Sequence, residues 1–174
     1  MKNLLIVVDY QKDFVDGALG FPGAEALDPS IVTRISQYRA RGDEVAFTLD
    51  THYSNYTTTQ EGRKLPVAHC IDGSDGHKLY GRTAEACLPG DKVFIKNTFG
   101  SSQLFEYLYR LPSFGKIELC GLVSSICVIS NAVLAKAAQP EAEIVIDSAL
   151  TAGADKELHD AALKVMGGLQ MTIL

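Results

Sequence analysis

Short apolar runs rich in β-branched residues alternate with helix-forming segments along this chain, and this alternation limits the possible folds more than any other feature of the sequence. The runs lie at residues 4–8, 45–49, 92–96, 116–120, 143–147 and, more weakly, 170–173. Strands that alternate with helices pair in parallel, because each helical crossover returns the chain to the same end of the sheet. The sequence therefore predicts an α/β fold of three layers, α/β/α, with a mostly parallel Rossmann-like sheet of about six strands.

Four helix-forming segments are expected to cover the two faces of this sheet. They lie at residues 28–42, 101–111, 125–138 and 155–167. The first is the most clearly bounded, because Asp28 is a candidate N-cap, Pro29 suits the first helical position and Gly42 suits the residue after the end. The segment 51–90 has no clear period, and a loop of that length is usually functional. Nothing resembling a linker divides the chain, so we expect one domain over residues 1–174.

The composition excludes several classes of partner. A chain of 174 residues with 47% hydrophobic content can bury a core, and a net charge of −5 leaves no basic stripe for nucleic acid or an anionic membrane surface. No apolar stretch approaches the roughly 20 residues that span a bilayer, and the beginning MKNLLIVVD reaches an acid too early for a signal peptide. We therefore expect a soluble cytoplasmic protein whose four cysteines, which have no CxxC spacing, are free thiols.

Residues with reactive side chains follow four of the predicted strands. Asp9 follows the first strand, Asp50 and His52 follow the second, Lys96 ends the third, and Cys127 comes shortly after the fourth. Ligands of open parallel sheets bind beyond the carboxyl ends of the strands, so these side chains should meet at one edge. The chain has no G-x-G-x-x-G after the first strand and no P-loop, which excludes the usual dinucleotide and nucleotide sites.

An acid, a cation and a thiol at one edge suit nucleophilic catalysis. Helix N-terminal amides and a nearby cation both lower the pKa of a cysteine, so Cys127 could attack as a thiolate. Asp9 could take the thiol proton and give it to a leaving amine, while Lys96 holds the two groups in register. Taken singly, Asp9 could instead cap a turn, Lys96 could be solvated, and Cys127 could be a packing residue. Their joint placement favours catalysis.

Asp50, His52 and His69 form a second group with metal-binding chemistry. Carboxylate and imidazole are ligands for zinc, iron or manganese, and an Asp-x-His pair just past a strand can present both side chains to one ion. The alternative is that these side chains hydrogen-bond the loop and no metal binds. His77, in a glycine-rich loop, and His159, near the polar side of a helix, are predicted to be surface residues outside the site.

Five segments together resemble the isochorismatase-like cysteine hydrolases, and especially their nicotinamidase branch. They are VDYQKDF (8–14), DTH (50–52), LPVAHC (65–70), FIKNTFG (94–100) and GLVSSICV (121–128). The resemblance covers most of the chain in order and implies an Asp-Lys-Cys triad of Asp9, Lys96 and Cys127. It also implies a cis peptide at Leu122-Val123 and an oxyanion hole formed by the amides of Val123 and Cys127.

The resemblance further implies a divalent metal that binds the pyridine nitrogen of nicotinamide. Its expected ligands are Asp50, His52, His69 and, in place of a third histidine that this loop lacks, Glu61. Substrate contacts are expected from Phe14, Leu122 and Val123. The implied reaction converts nicotinamide to nicotinate and ammonia through a thioester, a step of NAD salvage. The thiol favours amide hydrolysis over the vinyl-ether cleavage of isochorismatase proper.

The substrate is less constrained than the chemistry. Many nicotinamidases place a tryptophan before the metal histidine, but this region has Leu65 and Pro66, so pyrazinamide or another small carboxamide is also compatible. One alternative is a metal-independent cysteine hydrolase of a ureido or carbamoyl compound, and another is a non-catalytic module that binds a small molecule. Because the family often forms dimers or larger assemblies, we expect a homo-oligomer.

Overall fold

Six strands form a single sheet in the computed structural model, which describes all 174 residues. The strands are β1 (Leu4–Val8), β2 (Glu44–Asp50), β3 (Lys92–Lys96), β4 (Lys116–Leu122), β5 (Glu143–Ala152) and β6 (Thr172–Ile173). Their order is β3-β2-β1-β4-β5-β6, and every neighbouring pair is parallel. The direction of strand addition reverses between β1 and β4, and such a switch point opens a crevice beyond the carboxyl ends of the strands.

Seven α-helices flank the sheet. They are α1 (Lys12–Val15), α2 (Asp28–Ala40), α3 (Gln60–Lys64), α4 (Gly81–Ala86), α5 (Ser102–Arg110), α6 (Ile129–Ala138) and α7 (Lys156–Gly168). Apolar residues of α5, α6 and α7 pack on one face of the sheet, and those of α1 and α2 pack on the other. The predicted three-layer fold is therefore confirmed. None of the helices combines the length and hydropathy that crossing a membrane requires.

The central strand β1 explains why the first apolar run shows no polar alternation. Leu4, Ile6 and Val8 contact the core on the side of α5 to α7, whereas Leu5 and Val7 contact the core on the side of α2. All five residues are buried. Each buried aliphatic side chain contributes roughly 1.5–3 kcal/mol relative to an exposed one. The residue that follows β1 is thus held by a strand anchored on both faces.

The start of α2 differs from the sequence prediction. Asp28 is the first residue of the helix rather than its N-cap. Its carboxylate instead accepts hydrogen bonds from the backbone amides of Arg82 and Thr83, both at 2.9 Å. Asp28 therefore caps the start of α4, a distant partner that local spacing does not reveal. At the other end, Gly42 follows α2 with a φ of 74°, in agreement with the prediction.

Two regions near the carboxyl edge of the sheet carry more regular structure than expected. Residues 51–90, predicted as a loop without a clear period, contain α3, α4 and a short 3-10 turn at Tyr56–Thr58. The helix predicted over 125–138 begins as a π-helix at Ser124–Val128 and continues as α6. Single π turns inside helices are frequent at functional sites.

Candidate active site

The carboxyl ends of β1, β3 and β4 bring an acid, a cation and a thiol together. Asp9 follows β1, Lys96 is the last residue of β3, and Cys127 lies in the π-helix after β4. The Lys96 ammonium lies 2.6 Å from Asp9 Oδ2 and 3.6 Å from Cys127 Sγ. None of the three residues is more than 5% exposed. The structure thus brings the three residues of the predicted triad into one buried cluster.

Asp9 is held by strand β2. Its φ of 44° lies in the left-handed region, which aspartate tolerates better than most residues. The Asp9 N–H donates to the carbonyl and the hydroxyl of Thr48, and the Thr48 hydroxyl donates to Asp9 Oδ1 at 2.6 Å. Asp9 Oδ2 accepts no well-aligned hydrogen bond and meets Lys96 as an ion pair. Oδ2 is therefore the carboxylate oxygen that remains available to accept a proton.

Lys96 joins the triad to a second carboxylate. Its ammonium donates to Asp50 Oδ1 at 3.2 Å and to the carbonyl of Thr98 at 3.0 Å. Burial acts to lower the pKa of Lys96, but the negative charges of its neighbours, chiefly Asp9 and also Asp50, outweigh it and raise the pKa above its usual range. Lys96 therefore stays cationic and compensates the charge of its neighbours.

The proton of Cys127 is held on sulfur in the resting protein. Burial raises the pKa of this thiol well above its usual range, and the charge of Asp9 raises it further, while Lys96 opposes both. The nearby cation lowers this pKa as expected, but burial and the Asp9 carboxylate outweigh it, so the expected net lowering of the pKa is wrong. Burial also raises the pKa of Asp9, although Lys96 and Thr48 oppose the shift. A carboxylate with a raised pKa is a better acceptor for a thiol proton.

Gln11 fixes the backbone of Asp50. The Gln11 side-chain oxygen accepts a hydrogen bond from Asp50 N at 2.8 Å, and its Nε2 donates to the Asp50 carbonyl at 2.9 Å. The same Nε2 donates to the carbonyl of His77 at 2.8 Å. Gln11 is fully buried. Local spacing does not reveal this role, although a glutamine three residues beyond a buried strand was a usable signal.

Asp13 fixes the residue after His69. Its Oδ2 accepts a hydrogen bond from Cys70 N at 2.7 Å, and Cys70 has a φ of 45°. The bond holds the chain in a conformation that a non-glycine residue seldom adopts, and so orients the neighbouring His69. Asp13 was also missed from sequence. The segment VDYQKDF thus supplies the acid of the triad and two residues that position the second group.

Asp50, His52 and His69 form a group with metal-ligand spacing. One potential ligand atom of each residue lies within 4.8 Å of those of the other two. Asp50 Oδ2 is 3.0 Å from His52 Nε2 and 3.4 Å from His69 Nε2. Burial acts to raise the pKa of Asp50, but the two neighbouring imidazoles and the Lys96 cation outweigh it and hold the pKa below its usual range. The carboxylate is therefore ionised beside the two rings.

The lone pairs of this group fit a divalent cation. His52 Nε2 is buried and makes no hydrogen bond, although Asp50 Oδ2 lies 3.0 Å away. His69 Nδ1 lies 2.8 Å from the carbonyl of Val67, which can only accept, so Nδ1 carries a proton and the neutral ring presents a lone pair at Nε2. Glu61 Oε1 stands 3.5 Å from His52 Nε2, beside the three rather than among them. Nitrogen and carboxylate donors suit zinc, iron or manganese.

An apolar cavity of about 300 Å³ leads to both groups. Cys127, Asp50 and His69 line it together with Phe14, whose ring meets the His69 ring edge-on at 5.5 Å. Eight more apolar side chains line the same cavity: Leu19, Phe21, Leu65, Phe99, Val123, Ile126, Ala154 and Leu158. Cavities of this size are typical of small-molecule sites. A small, largely apolar ligand could therefore touch the thiol and the candidate metal ligands at the same time.

The match to known proteins agrees with this geometry. The family model of the isochorismatase domain matches residues 3–173. The chain belongs to the isochorismatase family. Among solved structures, a nicotinamidase/pyrazinamidase from Bacillus subtilis is similar with a TM-score of 0.85 and 29% identity, over 99% of each chain. No curated protein matches the sequence.

Two further solved structures are similar to the chain. An N-carbamoylsarcosine amidase from Thermoplasma acidophilum has a TM-score of 0.81 and 25% identity, over 99% of this chain and 95% of that one. A pyrazinamidase of Pyrococcus horikoshii, solved in complex with zinc, has a TM-score of 0.85 over 100% and 99% of the chains, and at 24% identity it shows a likeness of fold. The predicted family, the isochorismatase-like hydrolases, is confirmed.

The remaining residues suggested by the family resemblance lie in different settings. Val123 lines the apolar cavity, its N–H donates no hydrogen bond within the protein, and the Leu122-Val123 peptide is cis. Leu122, expected to contact substrate, is fully buried in the core and does not line the cavity. His77 and His159, expected at the surface, are half-buried and lie 2.8 Å from the Thr51 hydroxyl and 2.9 Å from the Ser124 hydroxyl.

The other three cysteines have different environments from Cys127. All four are free thiols, as predicted. Cys70 and Cys120 are fully buried among apolar side chains, and burial raises the pKa of both thiols far above the usual range. Cys87 is half-buried, and burial raises its pKa as well. Of the four, Cys127 alone lines the apolar cavity and contacts a lysine.

Proposed function

We propose that this isochorismatase-family chain, as one hydrolase domain over residues 1–174, hydrolyses nicotinamide to nicotinate and ammonia through a thioester on Cys127. One observation carries the proposal. The Lys96 ammonium contacts both the Asp9 carboxylate and the Cys127 sulfur, and that sulfur lines a cavity with apolar walls. A thiol, a proton acceptor and a compensating cation are the parts that nucleophilic amide hydrolysis requires.

Catalysis begins with transfer of the thiol proton. As Cys127 Sγ bonds to the carboxamide carbon, its proton moves to Asp9 Oδ2 and the carbonyl electron pair moves onto oxygen. Lys96 stabilises the negative charge that develops on sulfur while the Asp9 carboxylate is neutralised by the proton. Asp9 then gives the proton to the amide nitrogen, the C–N bond breaks, and ammonia leaves a thioester. Water attacks the thioester with Asp9 as base, which releases the acid and restores the thiol.

The amides of Val123 and Cys127 are assigned to the oxyanion. Support comes from Val123, which lines the cavity next to Cys127 and whose N–H has no acceptor in the protein. An unpaired amide beside the nucleophile is available to a developing negative charge without losing an existing hydrogen bond.

The second group is assigned to a divalent cation held by Asp50, His52 and His69, with Glu61 beside them. Such an ion would supply a Lewis acid for the ring nitrogen of nicotinamide. Gln11 and the Val67 carbonyl orient these ligands before any ion binds.

Charge on the cavity wall favours a neutral amide over a carbamoylated amino acid. The wall carries three carboxylates, from Asp50, Glu61 and Asp155, and no lysine or arginine. The carboxylate of a carbamoylated amino acid would find no lysine or arginine there, whereas a neutral ring amide needs none. Phe14 and the apolar side chains of the wall suit a flat heteroaromatic ring.

Ammonia release from nicotinamide by the purified protein tests the proposal. Wild type should release ammonia, Cys127→Ser should not, and Cys87→Ala should behave as wild type because Cys87 lies outside the cavity. Acid quenching during turnover, followed by mass spectrometry, should show a nicotinoyl group on the peptide that contains Cys127.

A carbamoylated amino acid serves as the comparison substrate. We expect kcat/KM for nicotinamide to exceed that for the carbamoyl compound by about 100-fold, because the cavity wall holds no lysine or arginine for the carboxylate of that compound. The reverse preference would assign the site to carbamoyl hydrolysis. Ammonia release that survives Cys127→Ser would exclude the thioester.

A further inference from the structure

A second cavity, of about 320 Å³, also reaches the candidate metal ligands. We call it the polar cavity; hydroxyl and amide groups line it, from Thr51, Asn55, Thr59, Gln60, Asn97 and Thr98. His52 lines only the polar cavity, His69 lines only the apolar cavity, and Glu61 lines both. The candidate ligands therefore form a wall between two cavities of opposite character.

The two cavities differ in what they offer a hydrated cation. A divalent ion gives up its water ligands only in exchange for other oxygen or nitrogen atoms, since an uncompensated charge is costly to desolvate. The polar cavity offers such atoms along its wall, whereas most side chains of the apolar cavity are hydrophobic. Among the candidate ligands, the Glu61 side chain is 17% exposed, against 6% or less for the other three. Glu61 is thus the first of them that an ion would reach.

We propose that the polar cavity is the loading site for the divalent cation, with Glu61 as the carboxylate that passes the ion to Asp50, His52 and His69. The substrate uses the apolar cavity, so the ion and the substrate reach the centre by separate routes. The proposal rests on the metal assignment under the proposed function, and it adds a site that the amidase reaction itself does not require.

Co²⁺ exchange in the full-length protein tests the route. Stopped-flow absorption measures the binding of Co²⁺ to chelator-stripped protein through the visible band of the bound ion. The rate of release is measured as the loss of the same band after excess EDTA is added. Asn55→Trp narrows the polar cavity at an exposed residue outside the catalytic groups. We expect association and dissociation rates to fall together by about tenfold, with Kd unchanged, because an obstacle on a route raises the barrier equally in both directions.

Leu65→Trp is the matched control. Leu65 is 38% exposed and lines the apolar cavity, so a bulkier residue there should lower kcat/KM for nicotinamide while the Co²⁺ rates stay at the wild-type value. Gln60→Trp, a second exposed position in the polar cavity, provides the same obstacle if Asn55→Trp does not fold.

The possible results of these experiments distinguish failure of the proposed cation route from failure of the proposed amidase activity. Slow exchange in Leu65→Trp with unchanged exchange in Asn55→Trp and Gln60→Trp would overturn the proposal, as would equal rates in all variants. A changed Kd in the polar-cavity variants would also overturn it, because the residues would then act on the bound state. Absence of the Co²⁺ band in wild type would overturn the metal assignment and the route together, while ammonia release from the same sample tests the amidase separately.

Discussion

Replacing Gln11 by glutamate should weaken both folding and metal binding, because the Gln11 carboxamide holds the backbone of Asp50. This fully buried side chain accepts one hydrogen bond, from Asp50 N, and donates two, to the carbonyls of Asp50 and His77, at 2.8 to 2.9 Å. Gln11→Glu keeps the shape and the acceptor but removes both donors. It also places an oxygen against two carbonyl oxygens.

The cost follows from these contacts. Two lost hydrogen bonds reduce the free energy of unfolding by about 1–3 kcal/mol. A carboxylate buried without a cation adds to this, so we expect a total loss of roughly 3–5 kcal/mol at neutral pH. Because Asp50 is a candidate metal ligand, its displacement should also weaken Co²⁺ binding by about 10- to 100-fold.

Acid should restore part of the lost stability of Gln11→Glu. In the folded state the new carboxyl has a pKa above its unfolded value of about 4.3, since burial and the neighbouring carbonyls favour the protonated form. The difference in unfolding free energy from wild type is then smallest below that unfolded pKa. It grows as the pH rises toward the folded pKa and is complete above it.

Urea unfolding between pH 4 and pH 8 measures this difference. Gln103→Glu is the control, because Gln103 is exposed on α5 and its replacement should change the unfolding free energy by less than about 0.5 kcal/mol. A loss below about 1 kcal/mol for Gln11→Glu at pH 7, or a loss that does not vary with pH, would refute the claim that Gln11 fixes Asp50 through donated hydrogen bonds.

Three further predictions follow from the same contacts. Lys96→Met leaves buried carboxylates without their cation, so it should lower kcat by about 1000-fold and the free energy of unfolding by roughly 3–5 kcal/mol, measured by ammonia release and urea unfolding. Gly121→Ala should destabilise the protein strongly, because the added Cβ would clash with the carbonyl oxygen of Val8 at a residue whose φ is +104°. Gly168→Ala meets no atom within 4 Å and should be neutral in the same urea assay. Burial acts to raise the pKa of Asp43, but hydrogen bonds from Asn3 outweigh it and hold the pKa below its usual range. Asp43→Asn should therefore destabilise the protein at pH 7, and this difference should disappear as the pH falls from the unfolded value of about 3.9 through the lower folded pKa.

Sequence patterns could predict the location of the site but not the forces within it. Asp9, Lys96 and Cys127 could be placed at one edge because parallel strands all end on that edge. The protonation state of Cys127 could not be predicted in this way. The presence of a cation suggests a lowered pKa for the thiol, and only the degree of burial reveals that the pKa is raised. A prediction from residue types alone overestimates the effect of the cation on the thiol pKa, because the cost of burying the thiolate is unknown at that stage.

The residues that position the site were also invisible to local reasoning. Gln11 and Asp13 lie in the same quoted segment as Asp9, yet their partners Asp50 and Cys70 are distant in the chain. Asp28 was misassigned for the same reason, since its spacing before Pro29 suited an N-cap of α2 while its carboxylate caps α4. Side-chain to backbone bonds of this kind depend on how loops pack and leave no periodic signal.

The sequence by itself determined the order of layers, the parallel sheet and the reactive residues at four of the strand ends. Hydrophobic pattern and strand direction are local properties, so they do not depend on how the loops are arranged. Only the tertiary structure decided the balance of charge around Lys96, the clamp of Gln11 on Asp50, and the two cavities that meet at Glu61. Each of these depends on distances and burial between segments far apart in the chain, and electrostatic and hydrogen-bond energies change steeply with both.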